Sequence, residues 1–213
     1  MFVILTKKLN KLFKVFFVFV ILQPMDDRCI SIREASAVDA ALIGKIVTMA
    51  LGDDLSLCFG NVPAVDVFGE LAAREGTQYS FRNTLVAEVD GEVAGAIVGY
   101  DGACLHELRI PTLEKIGEAT GTSTVIEDET SAGEYYLDSL AVLPEFRGCG
   151  VGRALLVAAR DKAFGNGYRK VGLLVDFCNP RAEKLYASLG FRRVDETTFL
   201  GHRMWHLQAT NPD

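Results

Sequence analysis

The sequence predicts an α/β fold in which seven short apolar runs alternate with five helical segments. Three observations support this prediction. The apolar runs have the length of strands, an Asp-Gly pair joins two of them, and a glycine-rich turn joins another to a helix. Asp-Gly between two apolar runs is a strong signal for a two-residue hairpin. Strands and helices that alternate without an intervening linker indicate one mixed domain.

The predicted elements follow from local patterns along the chain. Ser36 with Asp39 three residues later is typical of a helix N-terminus. Asp90-Gly91 provides the hairpin turn. Strands are predicted at residues 29–33, 84–89, 92–98, 135–142, 170–177, 191–194 and 202–207, and helices at 36–50, 65–74, 105–119, 153–164 and 180–189.

Composition narrows the classes of function. The chain has 213 residues, of which 49% are hydrophobic, so it can bury the core of one large domain. Its formal net charge is −6, and a general nucleic-acid binder would need a basic face, so no nucleic-acid partner is expected. The charge permits a cationic acceptor. The five cysteines are scattered and lack CxxC spacing, which predicts reduced thiols in a cytoplasmic protein.

Residues 1–24 differ from the rest of the chain. An apolar run at residues 15–22 is too short to span a bilayer as a helix, and no small-residue cleavage site follows it. A basic membrane anchor is one interpretation, because four lysines precede the run: Lys7, Lys8, Lys11 and Lys14. We favour the other, in which Met25 is the true start and residues 25–213 form a single domain without a membrane partner.

The segment at residues 101–133 is longer than a usual connection between strands. Its first part predicts a helix, and its second part is polar and contains the acidic run Glu127-Asp128-Glu129. Such a run is usually a solvated face. The segment is either a lid over a binding site or an exposed loop, and the pattern leaves both interpretations open.

The apolar run Tyr135–Val142 is predicted to be the central strand. Strict alternation places its side chains on two opposite faces. The first face carries Leu137, Ser139 and Ala141, and the second carries Tyr136, Asp138, Leu140 and Val142, with Glu134 just before it.

After this strand comes Arg147-Gly148-Cys149-Gly150-Val151-Gly152, a turn that leads into a helix. Glycines let backbone N–H groups turn toward a ligand, and a helix N-terminus favours phosphate. The dinucleotide fingerprint fails because Arg153 or Leu155 stands where its third glycine belongs, and no P-loop Gly-Lys-Ser/Thr is present. This pattern argues against a nucleotide-binding oxidoreductase.

The pattern Arg-x-x-Gly-x-Gly resembles the acyl-CoA pyrophosphate loop of the GNAT family of N-acetyltransferases. The resemblance covers residues 135–194 and includes Asn179-Pro180 and the run Leu-Tyr-Ala-Ser-Leu-Gly-Phe at residues 185–191. It implies a mixed, mostly antiparallel sheet of about six to seven strands. It also implies helices on both faces of that sheet and a splay between its central strands.

The resemblance also implies an activity. The expected function is acetyl-CoA-dependent transfer of an acetyl group to the primary amine of a small molecule or a protein. The alternative is a non-catalytic acyl-CoA-binding sensor or regulatory module. Acetyl-CoA is then a co-substrate, a peptide or small-molecule amine is the partner, and a homodimer is an expectation from the family. No metal is expected, because His202 and His206 lie about 13 Å apart along one strand.

The family pattern assigns roles to named residues. The cofactor-binding set is Leu140, Ala141, Val142, Arg147, Gly148, Cys149, Gly150, Val151, Gly152, Arg153 and Asn179. Asn179 is also expected to cap its helix. Tyr186 matches the family's general acid, which would protonate the leaving thiolate, and its alternative is a core aromatic.

Two carboxylates are candidates for collecting the proton of the acceptor amine. Asp138 is either this base or a buried carboxylate satisfied by backbone N–H groups, and the sequence leaves both interpretations open. For Glu134, at the outer end of the strand, the structural interpretation is favoured.

Overall fold

The computed structural model describes residues 28–52 and 59–212, which form one seven-stranded sheet in the order β1-β2-β3-β4-β5-β7-β6. All neighbouring strands are antiparallel except β4 and β5, which are parallel. The predicted mixed, mostly antiparallel sheet is therefore confirmed. The strands are β1 (Ile30–Glu34), β2 (Thr84–Val89), β3 (Glu92–Asp101), β4 (Tyr135–Val142), β5 (Lys170–Asp176), β6 (Arg192–Phe199) and β7 (His202–Thr210).

Five α-helices of the described residues cover both faces of the sheet. They are α1 (Ala40–Leu51), α2 (Ala64–Ala72), α3 (Leu105–Thr120), α4 (Val151–Gly165) and α5 (Pro180–Ser188). On one face, Leu155 and Leu156 of α4 pack with Leu137 and Leu207 of the sheet, and α5 borders the same cluster. On the other face, the first three helices pack against β3 and β4. The predicted extension at residues 1–24 lies outside the described residues.

Local signals place several of these elements. Ser36 and Asp39 form the expected capping box, in which the Ser36 backbone N–H donates to Asp39 Oδ2 at 2.8 Å. Asp90 and Gly91 have φ of 53° and 85°, as a two-residue hairpin turn between β2 and β3 requires.

The centre of the sheet is split. β4 and β5 pair only at their first residues, Tyr135 with Val171 and Tyr136 with Gly172. Beyond these pairs both strands continue without a ladder between them, although β4 stays paired with β3 and β5 with β7. The expected splay is therefore present. It leaves a gap between the C-terminal halves of β4 and β5, each of which is paired on its other side with β3 or β7.

Candidate active site

The glycine turn predicted to bind an anion connects β4 to α4. Gly148 and Gly150 have φ of 82° and 89°, in the left-handed region where a side chain is strained. The helix begins at Val151, two residues before the predicted start. The chain reverses direction here because glycine alone adopts these angles at low cost.

The backbone N–H groups of this turn are available to a ligand. No described residue accepts a hydrogen bond from the N–H groups of residues 148–153. The first N–H groups of a helix have no intrahelical acceptor, and the helix dipole adds partial positive charge there. The donor set therefore fits a diphosphate group.

Two predicted arginines flank the turn, and both are exposed. Arg147 Nε donates to the Val142 carbonyl at 3.2 Å, and Arg153 Nη1 donates to the Ser188 hydroxyl at 3.0 Å. Cys149 is half-buried, and Arg28 Nη1 lies 3.3 Å from its sulfur. The arginines' contact with a cofactor stays a prediction.

The backbone of Leu140, Ala141 and Val142 borders the central gap. These residues pair with β3 on one side and make no described ladder pair with β5 on the other. An extended ligand that carries amides could add to such an open strand edge as a further strand would. The geometry is compatible with the predicted cofactor role of these three residues.

Asn179 and α5 follow β5, the strand on the other side of the gap. Asn179 Oδ1 accepts a hydrogen bond from the Ala182 backbone N–H at 3.1 Å, so its predicted capping role is confirmed. Tyr186 packs edge-to-face on Phe191 with ring centroids 6.1 Å apart, and burial raises the pKa of its hydroxyl. No described residue hydrogen-bonds that hydroxyl. The packing matches the core alternative and the unbonded hydroxyl matches a proton donor, so the role of Tyr186 stays a prediction.

A bulge interrupts β4 at Asp138. The register with β3 passes from Ser139 opposite Val98 directly to Leu137 opposite Gly99, so Asp138 is the extra residue. A bulge places two successive residues against one partner and re-aims a side chain. Here Ser139 donates a hydrogen bond from Oγ to Asp138 Oδ1 at 2.6 Å.

This bulge corrects the predicted faces of the strand. Tyr136 packs in the core beneath α1, α2 and α3, and Asp138 hydrogen-bonds groups on that side. Leu140 and Val142 instead pack against the α4 side. The prediction that all four side chains share one face was wrong. Side chains alternate between the two faces along a strand, so one extra residue moves every later side chain to the opposite face.

Asp138 is bonded by side chains alone, rather than by the backbone N–H groups of the structural alternative. The Tyr100 hydroxyl lies 2.9 Å from its Oδ2 and Gln78 Nε2 lies 3.1 Å from the same oxygen, in addition to Ser139 on Oδ1. Burial raises the pKa of Asp138 above the ordinary carboxyl value. A raised pKa favours uptake of a proton near neutral pH.

Asp138 lines two spaces that also share Tyr136. An outer cleft of about 270 Å³ is lined by Asp138 and by residues such as Tyr136, Leu174, Asp176, Asn179, His202 and Met204. An inner cavity of about 40 Å³ is lined by Asp138 with Gln78, Tyr79, Arg109, Thr112 and Glu129 among others. Asp138 therefore borders both a space large enough for a small acceptor and a space the size of a few water molecules.

The inner cavity contains residues that the sequence analysis did not select. Glu129 belongs to the acidic run for which the sequence leaves a lid and an exposed loop open; it is only 5% exposed, and its Oε2 accepts a hydrogen bond from Arg109, which is 4% exposed. A signal for this was present in α3. Its buried stripe is Leu105, Arg109, Thr112 and Ile116, and two polar residues on an apolar stripe indicate buried polar partners.

Glu134 occupies a different environment. Its oxygens accept hydrogen bonds from the Thr130 hydroxyl at 2.7 Å and the Gln208 amide at 2.8 Å, and His206 Nε2 lies 3.0 Å away. Against the effect of burial, the bonds from His206, Thr130 and Gln208 hold the pKa of Glu134 below its ordinary value. Gly172 leaves room for this carboxylate, because a Cβ there would collide with it. The geometry favours the structural interpretation of Glu134.

Within residues 28–52 and 59–212, no helix combines the length and apolar character needed to cross a bilayer. In the same part of the chain, no three His, Cys, Asp or Glu side chains are grouped as a metal site would require.

Taken together, the split parallel pair and the turn with free N–H donors define an α/β protein built to receive an extended anionic ligand. Comparison with known proteins gives the family. The family model described as "Acetyltransferase (GNAT) family" matches residues 50–191, and the chain belongs to that family. A solved structure described as an acetyltransferase is 35% identical, with a TM-score of 0.72, and the match covers 84% of this chain and 98% of that one.

Curated relatives match over shorter stretches. The chain is 36% identical over 102 residues to a mycothiol acetyltransferase of Thermobispora bispora, and 31% identical over 121 residues to the acetyltransferase SG1711 of Sodalis glossinidius. These matches cover 48% and 56% of this chain. The chain spans 28% of the length of the first relative and 64% of the second.

Proposed function

We propose that the protein is an acetyl-CoA-dependent N-acetyltransferase that acts on the primary amine of a small molecule or peptide. The observation that carries this proposal is the arrangement along β4. Asp138 lies in the middle of the strand beside the outer cleft, the open edge follows it, and the turn with free N–H donors comes next. The proposed base, the strand edge that would bind the pantetheine arm and the turn that would bind the diphosphate thus follow one another along β4 and the turn after it.

Acetyl-CoA fits this arrangement in two respects. The N–H groups of residues 148–153 would hold the diphosphate, with the exposed Arg147 and Arg153 beside it. The unpaired edge of residues 140–142 would bond the amides of the pantetheine arm. Acetyl-CoA supplies the activated acyl group as a thioester.

The acceptor must lose a proton before it attacks. An alkyl amine has a pKa of about 10, so deprotonation at neutral pH costs about 4 kcal/mol. In the proposed reaction an acceptor ammonium in the outer cleft gives one proton to Asp138. The amine lone pair then forms the C–N bond at the thioester carbonyl.

The C–S bond breaks next, and its electron pair leaves with the CoA sulfur. Tyr186 donates the proton that converts this thiolate to a thiol. An ordinary tyrosine pKa of about 10 lies above a thiol pKa of about 8.5, and burial raises the pKa of Tyr186 further, so this transfer is uphill. The nitrogen releases its second proton to solvent as the amide forms. Asp138 then releases the proton it took, and Tyr186 takes one proton back, so both residues return to their starting states. The net products are the N-acetyl amine, free CoA thiol and one proton.

The outer cleft favours a cationic acceptor with a short apolar part. Its walls combine two carboxylates, Asp138 and Asp176, with apolar side chains such as Leu174, Phe199 and Met204. Its volume of about 270 Å³ limits the buried part to a small group.

A panel of primary amines, incubated with acetyl-CoA and the full chain, tests the proposal through release of free CoA thiol. We expect amine-dependent release above the rate of thioester hydrolysis. A Gly150→Val variant is the matched control, since a β-branched residue is strained at φ 89° and should weaken acetyl-CoA binding whatever the amine. Binding of acetyl-CoA without turnover of any amine would contradict the enzyme and favour a sensor.

A further inference from the structure

Two carboxylates of the described residues, the buried Glu129 and the half-buried Asp138, share the same hydrogen-bond donors. Gln78 Nε2 lies 2.8 Å from Glu129 Oε1 and 3.1 Å from Asp138 Oδ2. The Tyr100 hydroxyl lies 3.2 Å and 2.9 Å from the same two oxygens. A hydroxyl has one proton, so Tyr100 donates to one of these oxygens at a time. The two carboxylates thus form one hydrogen-bonded unit instead of two independent sites.

Glu129 reaches this position through a fixed support. Arg109 of α3 bonds Glu129 Oε2 and also donates to the backbone carbonyls of Ile126 and Glu127, both at 3.1 Å. Its other side-chain contact is Asp128 Oδ1 at 3.0 Å. One guanidinium therefore folds residues 126–129 against α3 and turns Glu129 inward.

The inner cavity carries an independent sign of a bound molecule. Thr112 is 2% exposed, and its Oγ1 has no hydrogen-bond partner in the described part of the chain. This residue lines the inner cavity together with Glu129 and Asp138. A polar cavity of about 40 Å³ with an unbonded hydroxyl has the size and chemistry to hold water.

We propose that Glu129 is a positioning residue that shares one proton with Asp138, and that the inner cavity holds the water bonded to this pair. The inference rests on the proposed function, because it states how the base of that reaction is tuned. The doubly ionised pair takes the single proton that leaves the acceptor ammonium in the outer cleft. Asp138, which lines that cleft, receives it, and the proton is then held between the two carboxylates.

The electrostatics support a shared proton. Burial, followed by the charge of Asp138, raises the pKa of Glu129 to about 7, and burial raises the pKa of Asp138. Two close carboxylates titrate as a pair, and the proton binds to the unit. Tyr100 faces the pair through its hydrogen bonds to both carboxylates. The other charged or titratable groups near the pair are Tyr79, Arg109 and Tyr136 around the inner cavity, and Asp176 and His202 in the lining of the outer cleft.

The test compares Glu129→Gln with the wild-type full chain. Without the neighbouring charge, the ionised form of Asp138 is favoured, so its pKa falls and it becomes a weaker base. We expect the acidic limb of kcat/KM to move down by about one pH unit or more, and turnover at neutral pH to fall about three- to tenfold. Glu129→Asp, which keeps a carboxylate, should restore part of both.

Asp128→Asn is the matched control, because Asp128 also bonds Arg109 but is half exposed and lines neither the inner cavity nor the outer cleft. It should leave the pH profile in place. A second readout is independent of activity: the infrared carbonyl band of a protonated carboxylic acid should disappear with a midpoint near neutral pH in the wild type. In Glu129→Gln it should disappear at lower pH.

An unchanged infrared midpoint and an unchanged pH limb in Glu129→Gln would overturn the inference while leaving the transferase intact. The same displacement of the limb in Asp128→Asn would also overturn it, since the effect would then belong to the support of Arg109. Failure of the wild type to acetylate any amine would instead remove the proposed function, and the tuning of its base would fall with it.

Discussion

Glu134, just before the start of β4, is buried and Asp138, in the middle of the strand, is half-buried, and the two regions affect these carboxylates in opposite ways. At the start, Glu134 meets three donors from Thr130, His206 and Gln208, which hold its pKa low. In the middle, Asp138 shares its donors with a second carboxylate, and burial raises its pKa. Residues only four positions apart on one strand are thus set up for a permanent charge and for a movable proton.

The difference shows that hydrogen-bond partners can outweigh the effect of burial on the pKa of an acid, as they do at Glu134 and not at Asp138. A carboxylate surrounded by donors stays ionised and holds the structure together. A carboxylate that competes for donors beside another acid, with open space next to it, can exchange a proton with a ligand.

The largest expected effect is that of Asp138→Asn. Because this change removes the proposed base, turnover should fall about 10²- to 10⁴-fold with little change in the KM for acetyl-CoA. Asp161→Asn, an exposed change on α4, serves as the control and should retain activity. Steady-state release of CoA thiol measures both. Wild-type turnover in Asp138→Asn would show that Asp138 is not the base, and the functional contrast with Glu134 would then fail.

Tyr186→Phe should lower turnover at least tenfold with little change in acetyl-CoA affinity, since the variant keeps the packing on Phe191 but loses the proton donor. Rates with amines of differing basicity and calorimetry with CoA separate chemistry from binding. If turnover were unchanged, Tyr186 would be a packing residue, and the reaction would not need a proton donor from α5.

Gly150→Ala should raise the KM for acetyl-CoA about tenfold, because a side chain at φ 89° costs roughly 1 to 2 kcal/mol in the turn that holds the diphosphate. Gly165→Ala, at the end of α4 where a Cβ meets open space at an unstrained φ, is the control. An equal effect of the two variants would contradict a role for the turn geometry.

The smallest effect on activity is expected for Glu134→Gln, whose effect should be on stability. The new amide places a donor against Gln208 and His206, so Tm at pH 7 should fall by about 3 to 6 °C. Because the pKa of Glu134 is lowered in the fold, its carboxylate contributes stability at pH values above the ordinary pKa of 4.5. This contribution is lost as the pH falls through the pKa of the folded state. The Tm difference should therefore shrink toward pH 4.

The sign for Asp138→Asn is the reverse. Because the folded protein raises the pKa of Asp138, its charged form lowers the stability of the fold at pH values above the ordinary pKa of 3.8. An uncharged asparagine removes this cost, so Asp138→Asn should keep or raise Tm at pH 8. Thermal melts at pH 7 and pH 8 compare Glu134→Gln with Asp138→Asn, and the exposed Glu196→Gln is the control. Equal losses of Tm in both variants would remove the contrast between the two regions.

Features set by neighbours in sequence were predictable. The glycine turn before α4, the Asp90-Gly91 hairpin and the box of Ser36 with Asp39 depend on backbone angles and short-range bonds, and each is present. The gap between β4 and β5 was foreseen only through the family resemblance, because strand order is not a local property.

Features set by pairing across the chain were missed. The bulge at Asp138 depends on how β4 meets β3, so strict alternation placed Leu140 and Val142 on the wrong face. The sequence leaves the place of Glu129 open between a lid and an exposed loop, because its partners Arg109 and Gln78 lie 20 and 51 residues away. Only the polar positions on the buried stripe of α3 carried a hint of them.

Calorimetric titration of acetyl-CoA into the full chain tests the central claim most directly. The wild type and Asp138→Asn should bind one equivalent alike, with a dissociation constant of about 1 to 1000 μM, and Gly150→Ala should bind more weakly. If the wild type releases no heat of association at several temperatures, the turn before α4 does not hold coenzyme A, and the account of the site is contradicted.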